Sequence, residues 1–180
     1  MDALVRIAQG IDGLSARLGA LATACILIAC AISAGNALSR YALDASSNAW
    51  LEAQWYLFTA AVMFGAAYTF RRNEHVRVDL LYGHVSPRAQ AWIDVLGTLL
   101  FLFPAIGLLA WLSWPMFTAA WITGETSSNF GGLLRWPVKL LLPLGFLLLL
   151  LQGLSELIKR VAFLRGMQAA EPNHYERPMQ

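Results

Sequence analysis

An all-α integral membrane protein with four transmembrane helices and both termini cytoplasmic is the fold class this sequence predicts. Three observations predict it. The 180 residues are 58% hydrophobic and only 13% charged, about half the ~25% charge usual in a soluble domain. The missing charge is concentrated in four stretches of near ~20 residues, the length a helix needs to cross ~30 Å of hydrocarbon. The basic residues gather at alternate ends of those stretches. A net charge of +2, with no basic run interleaved with aromatics, gives no footing for nucleic acid.

The chain begins with a predicted amphipathic helix. Leu4, Ile7, Ile11, Leu14 and Leu18 recur at 3-4-3-4 spacing, with Asp2, Arg6, Gln9 and Asp12 elsewhere on the wheel, so this segment is expected to lie on the membrane or on a partner. The first span covers about 18–38 and stops at Arg40. Within it, Leu27-Ile28-Ala29-Cys30 resembles a lipoprotein cleavage site. The apolar run continues to Leu38, beyond the ~7–15 residues of a signal peptide, so a retained helix is expected. Cys25 and Cys30 point to different sides of that helix, and no disulfide between them is expected.

The second span covers about 50–70, with Glu52 and Gln54 near its start and Arg71 and Arg72 at its end. Ser86-Pro87 is an N-cap followed by proline at the first helical position, and it opens the third helix. That span covers about 92–114 and is expected to close at Pro115. Pro115 to Arg135, with Gly124-Glu125-Thr126-Ser127-Ser128-Asn129 and Gly131-Gly132, reads as an irregular polar loop. The fourth span starts at Trp136-Pro137 and covers about 136–157, ending before Lys159 and Arg160. Residues 1–165 thus form a single four-helix membrane domain, and 166–180 a flexible cytoplasmic tail.

Orientation follows from the basic residues, which resist translocation when they flank a span. Arg6, Arg17, Arg71, Arg72, Arg77, Arg88, Lys159, Arg160, Arg165 and Arg177 fall on one side, whereas Arg40, Arg135 and Lys139 fall on the other. The richer side is the cytoplasmic one. Trp50, Trp55, Trp111, Trp114, Trp121 and Trp136 form a belt at the outer interface, with Trp92 at the inner one.

Ionisable groups in mid-membrane mark functional sites because they are expensive there, and this sequence has almost none. Asn36 is the amide deep in span one, Lys139 can snorkel outward, and Gln152 lies toward the inner end of span four. No polar solute pathway is evident. A haem-bearing anchor would place axial histidines within spans, but His75, His84 and His174 fall outside them. A site built on His75 and Asp79 would have two ligands where a metal needs more. No catalytic, cofactor or metal site is therefore expected. Helix packing leaves the clearest signal: Ala31, Gly35 and Ser39 in span one, and Ala61 and Gly65 in span two, repeat every four residues. Such faces let helices approach closely in lipid, within the bundle or against a partner.

Several segments in order resemble the DctQ-like small membrane subunit of tripartite ATP-independent periplasmic (TRAP) transporters. They are Arg40-Tyr41, Trp50-Leu51-Glu52, Phe64-Gly65-Ala66-Ala67, Glu74-His75-Val76-Arg77-Val78-Asp79-Leu80-Leu81, Trp136-Pro137 and Pro143-Leu144-Gly145, spread over about residues 15–165. Where the family's pattern has two consecutive acids, Glu52 is followed here by Ala53. The resemblance implies a bacterial inner-membrane subunit that packs against the scaffold of a large multi-spanning subunit. That larger partner would move an organic acid, delivered by a periplasmic substrate-binding protein, using the sodium gradient. It implies partner-contact or structural roles for Asn36, Arg40, Trp50, Glu52, Gly65, His75, Asp79 and Pro137. Glu52, Arg40 and the Glu125–Gly132 loop would then face the periplasm, and His75 to Asp79 the cytoplasm.

Overall fold

The computed structural model describes residues 2–73, 82 and 85–167. Among them it is all-helical, with four helices: α1 (Asp2–Leu43), α2 (Asn48–Arg71), α3 (Pro87–Thr123) and α4 (Trp136–Leu164). The amino-terminal segment and the first span are one unbroken helix of 42 residues, about 63 Å long at the usual rise. Asp44, at φ 50°, ends it. Helix α3 starts where the sequence places it: Pro87 occupies the first turn, and the Ser86 hydroxyl accepts from the Ala89 amide at 3.3 Å.

Two prolines act differently from the sequence expectation. Helix α3 does not close at Pro115 but runs on to Thr123, where Gly124 at φ 59° caps it in the left-handed conformation. One missing amide does not end a helix in lipid, because any other conformation would strand more backbone groups. Pro104 leaves a clearer mark. Residues Thr98–Leu102 widen into a π turn in which the Phe103 amide bonds to the Thr98 carbonyl. A proline cannot donate to the carbonyl four residues back, and its ring crowds that oxygen, so the turn opens. Helix α4 also outruns its expected end, reaching Leu164 before Gly166 at φ 81° turns the chain.

Helices α1, α2 and α4 pack against one another, whereas α3 leans chiefly on α4. The interior is made of small residues: Ala22 and Cys25 of α1 meet Ala60 and Ala61 of α2, with Leu57, Phe64 and Leu141 around them. Leucines such as Leu27, Leu100, Leu108 and Leu112 are turned outward. The largest fully buried side chains are Gln152, Pro143 and Ser155. Small and polar inside with leucine outside is the arrangement expected of helices solvated by lipid. Three of the helices, α1, α3 and α4, are long and apolar enough to cross a membrane. In α2 the polar residues Asn48, Glu52 and Gln54 dilute the apolar run.

Close approach depends on glycine at defined points. A Cβ on Gly19 would lie 2.6 Å from the Tyr68 ring, and one on Gly145 would lie 2.6 Å from Met63 Cβ. These two positions fix how closely α2 can sit against α1 and α4.

Candidate functional site

Side-chain polarity in this bundle gathers at its two ends. At one end, Glu52 projects from the second turn of α2 and is only 5% exposed. Its carboxylate accepts the hydroxyl of Ser127, the amide of Asn129 at 2.8 Å and the backbone N–H of Leu133 at 2.7 Å. The Tyr56 hydroxyl, one turn further along α2, donates to the Leu134 carbonyl at 2.8 Å, and Asn48 donates to the Phe130 carbonyl at 3.1 Å. The segment read as an irregular loop is therefore an ordered turn, fastened to α2 at several points. It folds into a narrow hairpin closed by a bridge between Thr126 and Leu134. Gly131, at φ 69°, takes a conformation that favours glycine. Gly132 passes so close that a Cβ would lie 2.9 Å from the Asn129 carbonyl oxygen. Lys139 pairs with Glu125, and Trp121 and Trp136 meet edge to face with centroids 4.6 Å apart.

At the other end, Asp12 of α1 reaches α4 ahead of the apolar stretch of its own helix. It accepts from Ser155 at 2.8 Å and from Gln152 at 2.9 Å, and pairs with Lys159 at 3.0 Å; Arg71 of α2 approaches to 4.0 Å. Gln152 is fully buried and in turn accepts the Ser15 hydroxyl at 2.6 Å. Burial opposes the charge on Asp12, but the hydrogen bonds from Gln152 and Ser155 and the ammonium of Lys159 outweigh it. Its carboxyl is held below the usual range. Beside this cluster, Arg160 of α4 pairs with Asp94 of α3 at 3.1 Å, and Tyr82 donates to the same carboxylate at 2.9 Å. A cavity of about 660 Å³ lies where α3 stands away from α2, lined by Phe70, Ile93, Phe101, Ile106 and Leu149.

The residues singled out from sequence do not form one site. Glu52 is the hub of the latch that fastens the 125–134 turn to α2. Gly65 is internal, with its Cβ position 3.8 Å from Ala22 of α1, and Ala61 lies in the core beside it. The repeat in span one behaves differently: Ala31 and Gly35 are exposed, and a Cβ on Gly35 would meet nothing within 4 Å. Asn36 and Trp50 line a second cavity, of about 630 Å³, between the carboxyl-terminal part of α1 and the start of α2. Arg40 is exposed near the end of α1, and Pro137 opens α4. His75 and Asp79 lie outside the described residues.

Sequence reasoning missed Asp12, Asp94, Ser127, Ser155 and Arg160 as interhelical partners. The signal available was weak: an acid on the polar face of a leading helix, and a basic residue just past the fourth span.

These features describe a membrane bundle whose polar groups join its own helices. A family model described as "Tripartite ATP-independent periplasmic transporters, DctQ component" matches residues 29–163. No curated protein matches the chain. No solved structure matches it either.

Proposed function

The chain belongs to the DctQ family, the small membrane subunits of TRAP transporters, and from that premise we propose that it scaffolds the large membrane subunit during sodium-driven, binding-protein-dependent uptake of an organic acid. Proteins of this family work together with a large membrane subunit and a periplasmic binding protein. In this reading the chain sits in the bacterial inner membrane and crosses it four times with both termini cytoplasmic. Its leading segment continues the first span as one helix and packs on α4 through Ala8, Asp12 and Ser15, and the chain performs no chemistry of its own.

The observation that carries the reading is how the polar groups are used. Glu52, Asp12, Gln152 and Asp94 are all engaged in joining one helix or turn to another. Between the two ends the core cluster is Ala22, Cys25, Ala60 and Ala61, and the buried Gln54 and Ser113 return their hydrogen bonds to carbonyls of their own helices. Such a bundle offers a solute no row of polar groups to follow, but makes a stiff support for a partner that moves. Crossing by α2 is supported by its place between α1 and α4 and by the inward setting of Glu52 and Gln54. Orientation is supported by the excess of basic residues at the Arg71 and Lys159 ends.

The test is purification of this chain from its native membranes in mild detergent, followed by reconstitution. The reading expects a stoichiometric, much larger multi-spanning protein, and sodium-dependent uptake that requires both membrane chains and the binding protein. Recovery of the chain alone, or with a soluble redox enzyme and a haem spectrum, would overturn it.

A further inference from the structure

The buried seam of α1 runs Ala8, Ser15, Ala22, Cys25, Ala29 and then stops. From Cys30 to Leu43 no residue of this helix is fully buried, and only Ile32, Asn36 and Ser39 are half-buried, so its last ~21 Å is loosely covered. The start of α2 does not cover it. The two diverge around the groove of about 630 Å³, lined by Ile28, Ile32, Gly35, Asn36, Ser39 and Trp50.

Acyl chains can cover the exposed face of α3, because Leu100, Leu108, Trp111 and Leu112 ask nothing of them. They cannot serve the outer part of α1. Elsewhere in the spans, Thr23, Thr59 and Thr69 return their hydroxyls to carbonyls of their own helices at 3.2, 2.8 and 3.0 Å. The carboxamide of Asn36 makes no hydrogen bond among the described residues, although it lies within the apolar stretch and beside the groove. One turn further on the same side, Arg40 forms no ion pair among the described residues. An amide left in hydrocarbon without a partner is costly, and an uncompensated guanidinium at the membrane edge favours an acidic neighbour.

We propose that the outer third of α1, centred on Gly35 and Asn36, is the surface on which a transmembrane helix of the large subunit docks. This rests on the small-subunit reading above. The partner helix would close on Gly35, offer a hydrogen-bonding side chain to Asn36, and carry a carboxylate at the level of Arg40. Glycine at position 35 allows the close approach on which helix association in lipid depends. Gly65 contributes nothing to this surface, because its open side is already taken by Ala22.

The experiment uses both membrane subunits expressed together, with capture through a tag on this chain. Gly35→Leu should lower recovery of the large subunit at least tenfold while leaving the melting temperature and helical content of the isolated chain unchanged, since a Cβ at that position meets nothing within 4 Å and the groove beside it is open. Gly107→Leu on α3 also projects into open space, and it should leave recovery intact. A photo-crosslinking residue at position 35 should join this chain to the large subunit, and one at position 107 should not. If the unmodified chain captures no large subunit, the small-subunit reading itself fails. If it does and Gly35→Leu captures as much, the docking surface is elsewhere. Crosslinks from position 35 only to a second copy of this chain, or only to lipid, would equally overturn the assignment.

Discussion

Replacing Gln152 with leucine should loosen the end of the bundle where Asp12 meets α4 by a predictable amount. The side chain is 0% exposed, accepts the Ser15 hydroxyl at 2.6 Å and donates to Asp12 at 2.9 Å. Leucine has nearly the same volume, so little cavity forms, and the change isolates the hydrogen bonds. A neutral bond contributes about 0.5–1.5 kcal/mol net and one to a charged group about 1.5–3 kcal/mol. Burying the added apolar surface returns about 1–2 kcal/mol. The balance is a loss of about 2 kcal/mol, equivalent to a fall of about 4–8 °C in melting temperature for a chain of this size. Tryptophan fluorescence during heating in detergent is the assay. Ser15→Ala and the double variant complete a cycle, in which the pair should couple by about 1 kcal/mol. A melting temperature that is unchanged or raised in Gln152→Leu would show that the network adds no stability, and this clamp would have to be abandoned as a stabilising element.

Glu52→Ala removes the acceptor shared by Ser127, Asn129 and Leu133; amide exchange should quicken in residues 125–135 while the helices keep their protection. Gly145→Ala places a methyl group 2.6 Å from Met63 Cβ. Over-packing of that kind should cost about 1–3 kcal/mol, read as a lower melting temperature, against no change in Gly107→Ala. The carboxyl of Asp12 has a folded-state pKa below its ordinary value of 3.8. Its stabilising contribution should therefore be complete above pH ~4 and fade as the pH falls through the lower, folded value. In Asp12→Asn that acid-dependent component should be missing from melting curves recorded between pH 5 and pH ~2.5.

Much of the architecture was written in local pattern. Missing charge marked the apolar stretches, and Ser86-Pro87 marked the start of α3 to the residue. Tighter features were not legible, because they depend on partners remote in the chain. Asp12 meets Gln152 and Ser155 across more than a hundred residues, and Glu52 meets a loop that composition alone describes as polar and glycine-rich. The prolines misled in opposite senses. Pro115 was expected to close a helix that runs straight through it, while Pro104 drew no notice and opens a π turn. The two small-residue repeats look alike in sequence, yet Gly65 faces Ala22 and Gly35 faces outward. Spacing reveals that a helix has a close-packing face, but not which way it turns.

The reach of the Asp12 contacts has a consequence for how the protein is made. Ribosomes deliver α1 first, and the groups that seat its aspartate follow only when Gln152, Ser155 and Lys159 have been synthesised. Until then the nascent α1–α2 hairpin holds an acid whose one described neighbour is Arg71, at 4.0 Å. Arrival of α4 is thus the event that supplies the groups holding Asp12, and a chain interrupted before it lacks all three of them.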